Sequence, residues 1–284
     1  MLFSIWGPLE MALLEGSLTL AASTDCLELI QITDPHLMAN PDGDLLGMKT
    51  LDSLHRVVAG MREQSNPDAI LVTGDIAADG EAEAYDYLEA ALPNTIASAW
   101  LPGNHDDRGK VSPRLKKRFS RTVMSSHWII LMLDTQAAGH VEGHLGQPEL
   151  DQLNIAIEKA NADGKHLLVA THHPLQPVGS AWLDQQQVGN GGEVISRLQR
   201  CQGNALVISG HVHQASDLEV DGIRLLTTPS TCIQFAPNSE DFGLDDNDPG
   251  MRRLALHANG EVETEIIRIS CGENRPDFAS RGYH

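Results

Sequence analysis

Aromatic residues are scarce in this 284-residue chain, at 4% of the total. Binding to single-stranded nucleic acid by base stacking on interleaved aromatics is therefore poorly served. Basic residues are outnumbered too: 20 Lys and Arg stand against 39 Asp and Glu, a formal net charge of −19. That balance argues against broad docking on phosphate backbones or anionic membranes. No apolar run reaches the ~18 residues that cross a bilayer. The first Lys or Arg is Lys49, and Glu10 and Glu15 interrupt the apolar N-terminal stretch, so it lacks the pattern of a secretory signal. Residues 1–24 read instead as an extension laying an apolar strip on the core of a cytoplasmic protein. The four cysteines, Cys26, Cys201, Cys232 and Cys271, form no C-x-x-C pair and read as reduced thiols, with Cys26 and Cys232 as small core residues.

What is present is ordinary for a folded domain: 41% hydrophobic and 21% charged residues, in a chain long enough to bury a large core. Short apolar runs at 26–33, 69–73, 95–101, 127–133, 166–171 and 205–209 read as buried strands. Between them, 49–64, 81–92, 148–162 and 193–201 read as helices, with Pro148 suited to a first helical position and Gly164 to a stop. Later runs at 222–228, 252–258 and 261–269 read as strands, with hairpin turns at 220–222 and 258–260. This alternation predicts an α/β fold with mixed sheets and one domain over 1–284. Two charge blocks stand out. Residues 108–121 hold seven basic residues and no acidic one, and 238–250 hold five acidic residues and no basic one. Each reads first as solvated surface; functionally, the basic block would help an anionic substrate approach and the acidic loop would form a mobile rim.

Most of the apolar runs end in metal-ligand residue types. They lead into Asp34-Pro35-His36, Gly74-Asp75, Gly103-Asn104-His105-Asp106, His172-His173-Pro174 and Gly210-His211-Val212-His213. Carboxyl ends of strands are where loops of an α/β sheet converge on a site. Asp34 and His36 are two apart, as are His211 and His213, so an extended chain points each pair one way. Gly74, Gly103 and Gly210 each precede a candidate ligand, where the backbone must turn or approach closely. Carboxylates, imidazoles and a carboxamide without thiolates suit iron, manganese or zinc rather than a structural zinc knot. Seven candidates are too many for one tetrahedral ion and suit two ions sharing a bridge.

This ordered set of blocks, from Asp34 to His213, resembles the calcineurin-like metallophosphoesterase family. The runs LIQITDPHL (29–37), LPGNHD (101–106), SAWLDQQQVGN (180–190) and TTPSTCIQFAP (227–237) resemble its bacterial class III cyclic AMP phosphodiesterases more closely. The resemblance implies a four-layer α-β-β-α sandwich of two mixed sheets. It implies two divalent cations: Asp34, His36 and His213 at the first, Asn104, His172 and His211 at the second, and Asp75 between both. His105 would be a catalytic residue facing the phosphate, with Asp75 as the other. Asn104, His105, His172 and His213 would touch substrate. His173 is the alternative to His172. Many relatives place an acid at the position of Ala78 to orient the G-N-H histidine; here the partner of His105 is left between Asp79 and Asp106.

The implied chemistry is hydrolysis of 3′,5′-cyclic AMP to 5′-AMP by a water readied between iron or manganese ions, lowering intracellular cyclic AMP. His105 would assist departure of the 3′ oxygen. Trp182 would pack on the purine or simply anchor its loop, Asn190 would bond ribose or phosphate, and Thr228, Ser230 and Thr231 would line the opposite wall or, as the preferred reading, fix turns. The expected partner is a small cyclic nucleotide, with no nucleic acid and no membrane, for a monomer or homodimer. Two other readings compete: a broad phosphodiesterase on 2′,3′-cyclic nucleotides or glycerophosphodiesters, and a silent scaffold of the same fold. A scaffold should show broken ligand positions, and here each is filled.

Overall fold

The computed structural model describes residues 17–20, 25–64 and 66–282. In chain order the strands are β1 (Leu18–Thr19), β2 (Cys26–Ile32), the short pair β3 (Asp44–Leu45) and β4 (Met48–Lys49), β5 (Ala69–Thr73), β6 (Ala97–Leu101), β7 (Thr122–Met124), β8 (Trp128–Met132), β9 (His166–Ala170), β10 (Ala205–Ser209), β11 (Ser216–Val220), β12 (Ile223–Thr227), β13 (Gln234–Phe235), β14 (Leu244–Asp245), β15 (Gly250–His257) and β16 (Val262–Arg268). The α-helices are α1 (Thr50–Gln64), α2 (Ala82–Ala91), α3 (Gln147–Asp163), α4 (Ala181–Asp184) and α5 (Gly191–Leu198).

Two mixed sheets carry the fold. One runs β1-β7-β8-β9-β10-β12-β11 and the other β16-β15-β2-β5-β6. The buried strands are apolar on both faces because each face packs against something different. In β2, Ile30 and Ile32 join Leu54, Val57 and Met61 of α1 and Leu88 of α2 in one cluster. Leu27 and Leu29 belong to another, with Trp128, Ile130, Leu168 and Leu206 from the other sheet. Ile129 and Leu131 of β8 cluster instead with Leu153 and Ile157 of α3 and Leu198 of α5. Alternating side chains thus fill three cores between four layers, helix, sheet, sheet and helix.

Arg252 of β15 is 3% exposed and ties the sheets together. Its guanidinium donates to Thr264 Oγ1 (2.8 Å), Thr228 Oγ1 (3.2 Å) and the carbonyls of Thr227 (2.7 Å) and Ser216 (3.1 Å). Burial pulls its pKa down to about 10. The hydrogen bonds are what make a buried charge tolerable there.

The helices and long strands fall within a few residues of their expected bounds. Several elements were not anticipated. β11 is mostly exposed and polar, so it carries no apolar signature; its place is set by the hairpin with β12. β7 lies directly behind the basic block and pairs antiparallel with β8. Of the expected extension over 1–24, residues 1–16 and 21–24 lie outside the described residues. In the described part, β1 pairs parallel with β7, and Leu18 and Leu20 pack against the inter-sheet core.

Both charge blocks are tied into the fold. Arg108 pairs with Asp134 (3.1 Å), Lys110 with Glu81 (3.1 Å), Arg114 with Asp86 (2.6 Å), Arg118 with Glu89 (2.8 Å) and Arg121 with Glu149 (2.7 Å). These pairs clip the 108–121 segment to neighbouring elements. In the acidic loop, β14 pairs antiparallel with β13. Arg275 also pairs with Asp248 (2.8 Å).

Leu168 is fully buried between the sheets. Leu168→Ala is expected to lower unfolding stability by about 2–5 kcal/mol, measured by urea titration, and to leave the denaturant slope unchanged.

Candidate metal centre and adjoining cavity

The centre forms where β2, β5, β6, β9 and β10 end, on the loops that follow them. The backbone there is unusual. Asp34, His36, Asp75, His211 and His213 all have positive φ, between 45° and 66°. A non-glycine residue in the left-handed region costs of order 1–3 kcal/mol and persists only where surroundings hold it. Hydrogen bonds between the loops do so: Asp34 N donates to Gly74 O (3.0 Å), His36 N to Asp75 O (3.0 Å) and Gly210 N to His172 O (2.9 Å). Asp106 braces them from behind. Its buried carboxylate accepts from Gly103 N (2.9 Å), Ala77 N (3.0 Å) and Ile76 N (3.1 Å). Burial and the nearby Asp75 push its pKa up to about 6.

Two glycines mark where chain and carboxylate meet. A Cβ on Gly103 would collide with Asp75 Oδ1, and one on Gly210 would collide with Thr33 Oγ1 and Asp34 Oδ2. Only a hydrogen fits at either place.

Polar atoms converge at short range. His36 Nε2 lies 3.2 Å from His213 Nε2, and His213 Nε2 lies 3.4 Å from Asp34 Oδ1. His172 Nε2 lies 3.1 Å from Asn104 Oδ1, 3.3 Å from Asp75 Oδ2 and 3.3 Å from His211 Nδ1. Asp75 Oδ2 is also 3.7 Å from His36 Nε2. Asp34, Asp75, His36, His172 and His213 are all at most 2% exposed. The geometry fixes which ring nitrogens face inward. His213 Nδ1–H donates to Ile233 O and His172 Nδ1–H to Thr73 O, both at 2.8 Å. Each leaves its Nε2 directed into the cluster.

The charge states are those a cation needs, except at His172, whose Nε2 proton a cation would displace. Burial opposes ionisation of Asp34, yet His213 and His172 hold its carboxyl below the usual range. Burial opposes that of Asp75 too, and His172 and His105 hold it well below. Burial presses His36 down to about 3 and His211 well below its ordinary value, so both are neutral imidazoles. Burial acts the same way on His172, but Asp75 and Asp34 override it and raise the pKa to about 9. Two ionised carboxylates, a carboxamide oxygen and several imidazoles with lone pairs at mutual distances of 3–4 Å fit divalent cations. His211 Nε2 is also buried with no hydrogen-bond partner.

His173 is built differently from His172. Its Nδ1 accepts from Thr135 Oγ1 (2.8 Å), and its Nε2–H donates to Val141 O (2.9 Å). Both nitrogens are engaged with the 135–141 loop. The ring nitrogen of His105 that was expected to meet Asp79 or Asp106 meets neither. His105 Nδ1–H donates to Ala78 O at 2.8 Å, so a backbone carbonyl does the orienting. His105 N also donates to Asp75 Oδ1 (2.9 Å).

A cavity of about 430 Å³ opens above the centre. Asp75, Asn104, His105 and His211 form its polar floor, and Val141, Leu183, Trp182, Phe235 and Phe242 its apolar walls, with Gln186 and Gly282 also lining it. That volume lies in the range of small-molecule sites, roughly 300–1,000 Å³. Trp182 makes edge contacts with Phe235 (5.0 Å between centroids) and Phe242 (5.5 Å). Phe235 stacks flat on His213 at 4.2 Å. His172 and His213, expected to touch substrate, are fully or almost fully buried and are not among the residues that line the cavity. Asn190, expected at the ribose or phosphate, is occupied with the backbone of Leu145, accepting from its N–H (3.0 Å) and donating to its carbonyl (2.9 Å). Thr228 and Ser230 are fully buried turn-fixing residues: Thr228 Oγ1 donates to Gln31 Oε1 (2.5 Å) and Ser230 Oγ to Asp34 O (2.7 Å). Sequence reasoning missed Phe235, Phe242 and Gln186. Phe235 and Gln186 stood inside motifs already singled out, but nothing in the pattern separated cavity-facing from inward positions.

The family model for the calcineurin-like phosphoesterases matches residues 27–215. The chain belongs to that family, and its His/Asp cluster implies divalent metals. It is 39% identical over 270 residues to the 3′,5′-cyclic adenosine monophosphate phosphodiesterase CpdA of Vibrio vulnificus, covering 92% of this chain and 97% of the relative. It is 37% identical over 277 residues to CpdA of Escherichia coli K12, covering 95% of this chain and 100% of the relative. Among solved structures, a dimetal phosphatase from Danio rerio superposes with a TM-score of 0.57 at 16% identity, covering 86% of this chain and 99% of the other. That likeness shows the fold.

Gly103→Ala drives a methyl group into the Asp75 carboxylate. It is expected to weaken retention of divalent metal by about 10–100-fold, read by metal analysis after dialysis against graded chelator, with the far-ultraviolet circular dichroism unchanged.

Proposed function

We propose that this protein is a 3′,5′-cyclic AMP phosphodiesterase that forms 5′-AMP with the help of two divalent cations, iron, manganese or both, with zinc as the other candidate. The observation that carries the reading is the convergence of buried carboxylates and inward-facing imidazoles at the floor of an aromatic-walled cavity. The CpdA relatives, matched over nearly their whole length, carry that activity in their names. Cysteines outside any disulfide are in keeping with a cytoplasmic enzyme.

Asp34, His36 and His213 would hold one cation, Asn104, His172 and His211 the other, and Asp75 both. When bound, the two cations supply positive charge for the phosphoryl oxygens and raise the acidity of a water molecule. The chain's own residues do the rest. Thr73 O and Ile233 O hold His172 and His213 in the tautomer that presents Nε2. Asn104 adds an oxygen ligand without adding negative charge, which keeps the floor attractive to an anion. His105 lines the floor with its Nδ1–H pinned to Ala78 O, so its Nε2 faces the substrate. As a water oxygen bonds to phosphorus and the P–O3′ bond opens, a proton held at His105 Nε2 passes to O3′ and the leaving oxygen becomes the 3′-hydroxyl of 5′-AMP. The walls formed by Trp182, Phe235 and Phe242 take the nucleoside end and exclude water from it.

His105→Ala is expected to lower kcat by about 10²–10⁴-fold while metal content stays at the wild-type value. Loss of the metal along with activity would contradict the assignment of His105 as a residue that faces substrate. Trp182→Ala is expected to raise KM for cyclic AMP, and an unchanged KM would confine Trp182 to a loop anchor. The overall reading is tested by metal analysis together with turnover of 3′,5′-cyclic AMP, 2′,3′-cyclic AMP and bis(p-nitrophenyl) phosphate side by side. Preference for the first substrate, abolished by exhaustive chelation, is the expected result.

A further inference from the structure

The cavity above the metal centre is polar at its floor and apolar along most of its walls. Away from the floor, Gln186 supplies a side-chain amide. Its carboxamide has no hydrogen-bond partner among the described residues, although it is only partly exposed. Of the neighbouring polar side chains, Gln185 Nε2 donates to Ala181 O and Asp184 accepts from Val178 N and Gly179 N, while Gln187 is not among the residues that line the cavity. The turn that carries Gln186 is fixed. Gln186 N donates to Leu183 O (2.8 Å), and two residues on Val188 N donates to Pro174 O (2.9 Å). An amide held on a pinned turn, facing a cavity and serving nothing in the protein, is placed to meet a ligand.

The ligand chemistry follows from what the cavity offers. A cyclic phosphate on the floor leaves the base among the aromatic side chains of Trp182, Phe235 and Phe242. Stacking recognises any base, because every base has a π face. Reading its edge takes a directional polar group. A carboxamide carries one acceptor and two donors. It pairs in two bonds with adenine, accepting from N6–H and donating to a ring nitrogen, as glutamine does when it reads adenine in nucleic acids.

The geometry points to Gln186 as the residue that reads the purine edge. This rests on the cyclic-nucleotide reading above and goes beyond it by naming the group that senses the base. Oε1 accepts from the exocyclic N6–H of adenine, and Nε2–H donates to N1 or N7. The metal-centre residues set the reaction, while Gln186 sets which nucleoside is presented to it.

The test uses the full-length, metal-loaded protein with three substrates: 3′,5′-cyclic AMP, 3′,5′-cyclic GMP and bis(p-nitrophenyl) phosphate, which has no purine. Gln186→Leu keeps the volume and removes the polar edge. It is expected to lower kcat/KM for cyclic AMP by about tenfold or more, through KM, with bis(p-nitrophenyl) phosphate unaffected. Gln186→Glu replaces the donor by a second acceptor, which suits the N1–H and N2–H donors of guanine and opposes the ring acceptors of adenine. It is expected to shift the cyclic GMP to cyclic AMP ratio of kcat/KM toward cyclic GMP. An unchanged KM for cyclic AMP in the leucine variant and an unchanged ratio in the glutamate variant would overturn the assignment. Equal loss on all three substrates in both variants would also overturn it, by making Gln186 a support for the loop. A wild-type enzyme that cleaves the aryl diester and neither cyclic nucleotide would instead defeat the cyclic-nucleotide reading itself, and this assignment with it.

Discussion

The structure depends on keeping two carboxylates and a crowd of imidazoles together, out of water, within a few ångströms of one another. Asp34 and Asp75 are at most 2% exposed, and so are His36, His172 and His213. Burying ionised groups is costly unless opposite charge or hydrogen bonds compensate. In the chain alone the compensation is partial: His172 is pulled toward its protonated form by Asp75 and Asp34, while burial keeps His36 and His211 neutral. A pair of divalent cations would supply the missing charge. The donor set, the inward lone pairs and the depressed carboxylates agree on that need.

Holding such a cluster also strains the backbone, and much of the fold opposes that strain. Five of the clustered residues sit at positive φ. The parallel strands β2, β5, β9 and β10 end in register, so their loops reach one another through backbone hydrogen bonds. Behind them runs a buried polar chain. Arg252 donates to Thr228, Thr228 to Gln31 Oε1, and Gln31 Nε2 to Thr73 Oγ1 (2.8 Å). The carbonyl of that same Thr73 orients His172. The late β15–β16 hairpin therefore takes part in positioning the centre although it contributes no candidate ligand. Buried networks of this kind rigidify when every member is satisfied.

Much of this was legible in the sequence. The apolar runs marked the buried strands because those strands have two buried faces, and the ligand-type residues at their ends marked the centre. The layer order and the division of ligands between two cations came through resemblance to a family, since periodicity alone does not order strands in a sheet. What stayed hidden was geometry set by tertiary contact. Nothing in the local pattern says that Ala78 O, rather than Asp79 or Asp106, receives the His105 proton. The charge of 108–121 is a property of the run, but its pairing with Asp86, Glu89 and Glu149 is a property of the fold. Asn190 looked like a ligand-binding amide and is a brace for Leu145, while Gln186, four residues earlier, faces the cavity.

The most direct measurement is anomalous diffraction from crystals of the metal-loaded protein, collected on both sides of the iron and manganese absorption edges. The account predicts two resolved peaks, one against Asp34, His36 and His213 and one against Asn104, His172 and His211, with the Asp75 carboxylate reaching both. A single peak, or two peaks that leave Asp75 without a metal contact, would contradict it.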